Sequence, residues 1–137
     1  MSLLFAAHDS SLTMCRLLLA AGADVEEREP NTKNTPLHYA AIYGQERTIK
    51  LLLSHKADVN SRSKTGVTPL YIACSEGHLA SVVTLLQAGA DPLMSAVDGS
   101  QPIHKAAQQN QSDVVRMLVE KTENNIDQVR HITLQHM

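Results

Sequence analysis

The chain has 137 residues, 43% of them hydrophobic, yet only Phe5, Tyr39, Tyr43 and Tyr71 are aromatic and there is no tryptophan. A core must therefore be built from Leu, Ile, Val and Ala, which suits close-packed helices better than a barrel or sandwich. Twelve basic and 14 acidic residues leave a formal charge of −2, which gives no electrostatic footprint for nucleic acid or a membrane surface.

Taken in chain order, the sequence repeats itself. The first unit carries Leu3 and Ala6-Ala7, then Leu17-Leu18-Leu19, then Ala23-Asp24-Val25. The second opens on Thr35-Pro36-Leu37-His38-Tyr39-Ala40-Ala41, continues to Leu51-Leu52-Leu53 and closes on Ala57-Asp58-Val59. The third reads Thr68-Pro69-Leu70-Tyr71-Ile72-Ala73-Cys74, Leu85-Leu86, Ala90-Asp91-Pro92. The fourth reads Gln101-Pro102-Ile103-His104-Lys105-Ala106-Ala107 and Leu118-Val119. Three blocks in fixed order over four units are not a chance pattern.

Each unit predicts a helix, a tight turn and a second helix. Thr35 and Thr68 are N-cap residues, each followed by Pro at the first helical position, where its missing N–H costs nothing. The first helix turns Leu37, Ala40 and Ala41 inward, and its paired alanines let neighbouring helices approach closely. Gly44 and Gly77 then supply a left-handed residue, with Asn110 and, less comfortably, Ser10 in the same place. The second helix buries Ile49, Leu52 and Leu53, matched by Val82, Leu85, Leu86 and by Val115, Leu118, Val119. Gly22 and Gly89 end it, and Lys56 stands at that position in the second unit. Eight residues separate Val59 from Thr68 but nine separate Val25 from Thr35, so the first connection has a one-residue insertion around Glu29-Pro30-Asn31. Each helix pair has two apolar faces, so the units must stack.

The threonine-proline-leucine-histidine block, the glycine between helices, the leucine run and the Ala-Asp-Val close resemble the ankyrin repeat over roughly residues 2–127. The resemblance implies an all-α solenoid of helix-turn-helix units with short hairpin loops, forming one domain over 1–137. Its repeats are expected at about 1–33, 34–66, 67–99 and 100–127, with a tail at 128–137. The apolar opening Leu3-Leu4-Phe5 suggests a further repeat upstream. Gln108-Gln109-Asn110-Gln111 gives the fourth unit the character of a closing repeat, and the tail is either a partial fifth unit or a cover.

No residues combine into a catalytic or cofactor site. His38 and His104 occupy the block's own histidine position, where the imidazole is expected to bond within the turn, and His78 follows the inter-helix glycine. His8, His55, His131 and His136 share no ligand spacing, so neither a metal nor a cofactor is expected. Cys15 and Cys74 fall on buried positions of units that are not adjacent, too distant for a disulfide, and are expected to be inert. Glu26, Glu27 and Glu29 belong to a solvated hairpin. No apolar run spans a bilayer, the start lacks the basic region of a signal peptide, and two cysteines fit a reducing compartment, cytoplasmic or nuclear.

The resemblance implies protein binding through hairpin tips and the concave side of the first helices, with no nucleic acid, membrane or small-molecule substrate as partner. The concave positions are His8 and Asp9, Ile42 and Tyr43, Ser75 and Glu76, Gln108 and Gln109. The tips are Arg28, Asn31, Thr32 and Asn34, then Arg62, Lys64, Thr65 and Val67, then Ser95, Val97, Asp98 and Ser100. Ile42 and Tyr43 are the expected anchor, because the fold does not need apolar residues there. Arg62 and Lys64 are the expected basic rim for an acidic partner segment. Leu52, Asp58, Val59 and Asn60 resemble the motif that an asparaginyl hydroxylase modifies in ankyrin proteins, with Asn60 as acceptor. The reading is therefore a non-enzymatic scaffold or adaptor. The alternatives are a piece of a larger protein, such as a channel, kinase or ubiquitin-ligase substrate receptor, or a pathogen effector.

Overall fold

A computed structural model describes residues 2–122. Its helices are α1 (Leu3–His8), α2 (Leu12–Ala20), α3 (Pro36–Ile42), α4 (Glu46–Ser54), α5 (Pro69–Glu76), α6 (Leu79–Gln87) and α7 (Pro102–Gln108). Residues 112–122 are also helical and form α8. Among the described residues there is no strand, and no helix is long and apolar enough to cross a membrane.

The starts of the first helices follow from their capping residues. The hydroxyl of Thr35 accepts from the His38 N–H at 3.4 Å, and that of Thr68 from the Tyr71 N–H at 3.2 Å. Ser2 and Ser11 cap α1 and α2 in the same way. By contrast, α4 and α6 open on Gln45 and His78 with no side-chain cap. The His78 side chain instead donates from Nε2 to the Ile42 carbonyl of the preceding unit, and Gln111 donates from Nε2 to the Ser75 carbonyl.

That backward reach explains the glycine between helices. Gly44 has φ +63°, and a Cβ there would lie 2.7 Å from the His78 ring. The position thus needs a left-handed backbone and an empty side-chain volume together. Ser10 and Asn110, the equivalents at the two ends, take φ 59° and 60° with their side chains in place. Lys56 takes φ 68° at the end of the second unit's second helix, as its alignment with Gly22 and Gly89 requires.

The first helices pack in sequence, α1 on α3, α3 on α5 and α5 on α7, while α2, α4 and α6 form a second row behind them. Leu37, Ala40, Ala41, Ile49, Leu52, Leu70, Ala73, Val82 and Leu85 are at most 1% exposed. Burying the leucine, isoleucine and valine side chains among them is worth about 1.5–3 kcal/mol each, the driving force for stacking. In the fourth unit the outcome differs from the sequence expectation. Leu118 is buried, and so is Val114, like its equivalents Thr48 and Ser81, but Val115 is half-buried and Val119 is 36% exposed. The face of α8 that carries Val115 is the one a following unit covers in α4 and α6, and no such unit lies among the described residues. Residues 123–137, including the tail, lie outside them.

The inserted residue is visible in the hairpins. The Glu29 N–H donates to the Asn34 carbonyl, whereas in the next unit Ser63 pairs with Val67, one residue closer. The Glu29 carboxylate fills the wider turn, accepting from the N–H groups of Thr32 and Asn31 and from the Thr32 hydroxyl. These bonds to Thr32 and Asn31 hold its pKa below the usual value. Glu29 is thus a turn-building residue as well as a solvated one.

Candidate functional site

Two surfaces carry the residues singled out in the sequence: a ridge formed by the C-terminal ends of α1, α3, α5 and α7, and the hairpin tips. On the ridge, Tyr43 is the C-cap of α3 and is 41% exposed. Its ring lies edge-on to His8 with centroids 5.6 Å apart, and its hydroxyl is 3.4 Å from His8 Nε2. Tyr39, one turn earlier on α3, meets the same imidazole at 5.4 Å. Tyr43 therefore touches the preceding repeat and still presents surface to solvent. Ile42 is half-buried, with its carbonyl committed to His78. Ser75 is half-buried, while Glu76, Gln108 and Gln109 are exposed.

The tips are joined to one another through backbone. The Lys64 N–H donates to the Thr32 carbonyl at 2.8 Å, and the Val97 N–H donates to the Thr65 carbonyl at 2.9 Å. Arginine side chains reinforce the line. Arg28 donates to the carbonyls of Lys33 and Arg62, and Arg62 donates to those of Gly66 and Ser95. Arg62 is exposed, but its guanidinium already holds neighbouring hairpins together. The Lys64 ammonium has no bonded partner among the described residues, and Val97 projects with 74% of its surface exposed. Asp98 accepts from the hydroxyl and N–H of Ser100, and these bonds lower its pKa. Between the first two tips lies a groove of about 340 Å³ lined by Asn31, Thr32, Asn34, Lys64, Thr65, Val67 and Ile72.

Below the tips a second set of bonds ties each unit to the next. The Glu26 carboxylate accepts from the Asp58 N–H, and at the equivalent position the Asn60 side-chain carbonyl accepts from the Asp91 N–H at 2.9 Å. Asn60 is half-buried, and its own N–H is held by Asp58 Oδ1. It is thus a structural beam wherever else it acts.

The histidines of the repeat block behave as the sequence suggests. His38 Nδ1 accepts from the Thr35 N–H at 3.0 Å, so the ring proton sits on Nε2 and is donated to the Val67 carbonyl at 2.9 Å. Burial pushes the His38 pKa down to about 4, because a charged imidazolium cannot be solvated there. His104 makes the same bond to the Gln101 N–H but is exposed. In the third unit Tyr71 takes the histidine's place and reaches Ser100, the equivalent of Val67, with its hydroxyl 2.6 Å from the serine's.

Both cysteines are free and buried, and desolvation raises both pKa values, that of Cys74 to about 12. The thiols therefore stay protonated and unreactive at neutral pH. Among the described residues no three His, Cys, Asp or Glu side chains are placed to hold a metal.

Sequence reasoning missed the arginine line, the Glu26–Asn60 beam and the role of Tyr39. The first two carried a signal: Arg28 and Arg62, like Glu26 and Asn60, stand 34 residues apart, the period of the first repeat. Tyr39 and Tyr43 are four apart on one helix face, which puts both rings near whatever the previous unit offers.

Comparison with known sequences agrees with this geometry. The family described as ankyrin repeats (3 copies) matches residues 3–96 and 63–130. The chain is 36% identical over 104 residues to ankyrin repeat and KH domain-containing protein mask-1 of Caenorhabditis elegans, covering 75% of this chain and 4% of that one. It is 29% identical over 128 residues to target of rapamycin complex 2 subunit AVO2 of Saccharomyces cerevisiae, covering 92% of this chain and 30% of the relative. It is 38% identical over 104 residues to human ankyrin repeat and SOCS box protein 16, covering 70% and 23% respectively. The chain thus spans well under half the length of these curated relatives. With the stacked helix pairs, capped Thr-Pro starts and matching sequence profile together, the chain belongs to the ankyrin-repeat family.

Proposed function

We propose that this chain is an intracellular scaffold or adaptor module that holds a protein partner against its concave ridge and hairpin tips, and that it does no chemistry of its own. Ankyrin repeats generally mediate protein–protein interaction. The observation that carries the finer reading is Tyr43, an aromatic held in place by His8 yet 41% exposed, on a ridge whose buried positions are already filled. An ordered, half-exposed tyrosine loses little rotamer freedom on binding and suits an anchor. Ile42, Ser75, Glu76, Gln108 and Gln109 continue the ridge, and Lys64, Thr65, Val67, Val97 and Asp98 the tips. Arg62 contributes chiefly by fixing the tips, since its Nε and one terminal nitrogen already donate to carbonyls.

Affinity capture with wild-type protein, Tyr43→Ala and Arg47→Ala, read by mass spectrometry, tests the site. Partners lost with Tyr43→Ala but kept with Arg47→Ala support it. The reverse pattern places the partner on the second helices and ends this reading.

The short share of each relative that the chain spans favours one alternative, a module within a larger protein whose activity lies elsewhere. Asn60 remains a proposed hydroxylation site. A mass increase on its peptide after incubation with an asparaginyl hydroxylase supports that assignment, and an unchanged mass removes it.

A further inference from the structure

One register of the ridge runs Asp9, Tyr43, Glu76 and Gln109, one residue per unit at the ends of α1, α3, α5 and α7. All four are exposed. Among the described residues the carboxylates of Asp9 and Glu76 make no ion pair, the only two pairs being Lys50–Glu46 and Arg116–Asp113. The neighbouring register, His8, Ile42, Ser75 and Gln108, holds no lysine or arginine. The free tip cation Lys64 lies on a hairpin and not on the ridge.

The placement of these carboxylates runs against local stability. Asp9 is the C-cap of α1 and Glu76 is the last residue of α5, where unpaired helix carbonyls already concentrate partial negative charge and a lysine or arginine is the favoured choice. Between them stands Tyr43, whose ring face is the negative pole of its quadrupole. Three consecutive units therefore present carboxylate, π face and carboxylate. Helices in contact are about 10 Å apart, and a chain extended as polyproline II advances about 3.1 Å per residue with three residues per turn, which puts every third side chain on one face. One ridge position then corresponds to about three residues of an extended ligand.

Resting on the reading that the ridge binds protein, we propose that Tyr43 and its flanking carboxylates Asp9 and Glu76 receive an extended basic segment of the partner, with arginine or lysine at every third position. The central cation lies over the Tyr43 ring and the outer two meet the carboxylates. Arginine is the better fit at the centre, because its planar guanidinium stacks on an aromatic face. His8 meets the ring in a T-shaped contact, and Tyr43 stays 41% exposed to a ligand.

The test uses a fluorescein-labelled Gly/Ser peptide carrying three arginines spaced three residues apart. Controls of equal length carry the arginines contiguously, citrulline in their place, or glutamate in their place. Wild-type protein is expected to bind the spaced arginine peptide at least 10-fold tighter than each control at low salt. The double variant Asp9→Asn/Glu76→Gln is expected to lose at least 10-fold, with a flatter salt dependence and no fall in thermal midpoint. Tyr43→Leu is expected to lose about fivefold while Tyr43→Phe keeps binding, which separates a π face from a merely apolar contact. Equal binding of the citrulline or glutamate peptide, no binding of any peptide, or indifference to the double variant overturns the proposal. If the arginine peptide fails while a captured protein still depends on Tyr43, the ridge reading stands and only the cationic ligand falls. If captured proteins are indifferent to Tyr43, both fall.

Discussion

The second and fourth units are built on one sequence template and are buried differently at equivalent positions. Ala41 is fully buried, while Ala107 at the same register is exposed; Ile49 is fully buried, while Val115 is half-buried. Gly44 is roofed by the ring of His78, while Asn110 keeps a side chain at the same left-handed turn. The residue type does not decide burial here. The following unit does, because each repeat contacts only its neighbours and half of its apolar surface waits for the next one.

The sharpest way to break that comparison is to truncate equivalent core residues. Leu52, fully buried between units, should cost about 2–5 kcal/mol as Leu52→Ala. Val82→Ala and Val115→Ala make the same chemical change at the same register. The first should cost about 2 kcal/mol and the second under about 1 kcal/mol, since about 0.8 kcal/mol is lost per fully buried methylene-sized group and Val115 is only half covered. Urea unfolding measures all three. Equal costs for the two valines would mean that α8 is as well covered as α6.

The next effect is acid sensitivity seated in the second unit. His38 is closed over by the Val67 hairpin, and burial holds its pKa at about 4, against about 6.5 for a free imidazole. The unfolded chain therefore binds the extra proton first, and stability rises with pH across this window. The contribution is fully present above about pH 6.5 and is lost as pH falls through about 4. The fall from 6.5 to about 4 corresponds to about 3 kcal/mol in all, of which about 2 kcal/mol is gone by pH 5. Comparing unfolding free energies at pH 7 and pH 5 for wild type and His38→Gln checks this. A pH-dependence that survives the substitution undiminished would assign the acid sensitivity elsewhere.

These two effects mark what the sequence could and could not disclose. Helix starts, turns and core faces were legible because each rests on local chemistry: Thr35 caps, Pro36 follows, Gly44 turns, Leu52 faces inward. Even the left-handed backbone at Ser10, Lys56 and Asn110 followed from alignment with glycines. What was not legible depends on neighbours 33 or 34 residues away. Nothing local to Arg62 says that its guanidinium ends on Ser95, and nothing local to Tyr43 says that His8 holds its ring. The same dependence hid the exposure of Val119, which matches Leu86 in the pattern and has no covering unit among the described residues.

A smaller effect isolates the roof over the inter-helix turn. Gly44→Ala places a methyl against the His78 ring and also forces an L-residue into φ +63°. The left-handed backbone costs about 1 kcal/mol, and losing the His78 bond to the Ile42 carbonyl adds about 1 kcal/mol. Asn110→Ala, at the equivalent with no following unit among the described residues, should cost under about 1 kcal/mol, since asparagine already bears part of the backbone strain. If the two substitutions are equally costly in thermal unfolding, the close approach of His78 contributes nothing and only the backbone angle matters.

The smallest effect compares three helix ends by the residue each carries at the left-handed position. In each, the left-handed residue donates its N–H back to the helix: Gly22 to Leu19, Lys56 to Leu53 and Gly89 to Leu86, at 3.0, 3.0 and 3.1 Å. The next residue donates likewise, Ala23 to Leu18, Ala57 to Leu52 and Ala90 to Leu85, at 3.0 to 3.1 Å. The carbonyls are thus satisfied equally well at all three ends, and what separates Lys56 is the cost of holding an L-residue at φ 68°. That strain is about 1–2 kcal/mol, while glycine loses more chain entropy on folding, roughly 0.5–1 kcal/mol. Lys56→Gly should therefore stabilise the domain by about 0.5–1 kcal/mol, and the reverse change Gly89→Lys should destabilise it by a similar amount. Two opposite shifts in the urea midpoint, with unchanged slopes, are the expected result. A Lys56→Gly variant less stable than wild type would mean that the lysine's charge at the helix C-terminus outweighs its backbone strain, and that this turn was not tuned as its glycine counterparts were.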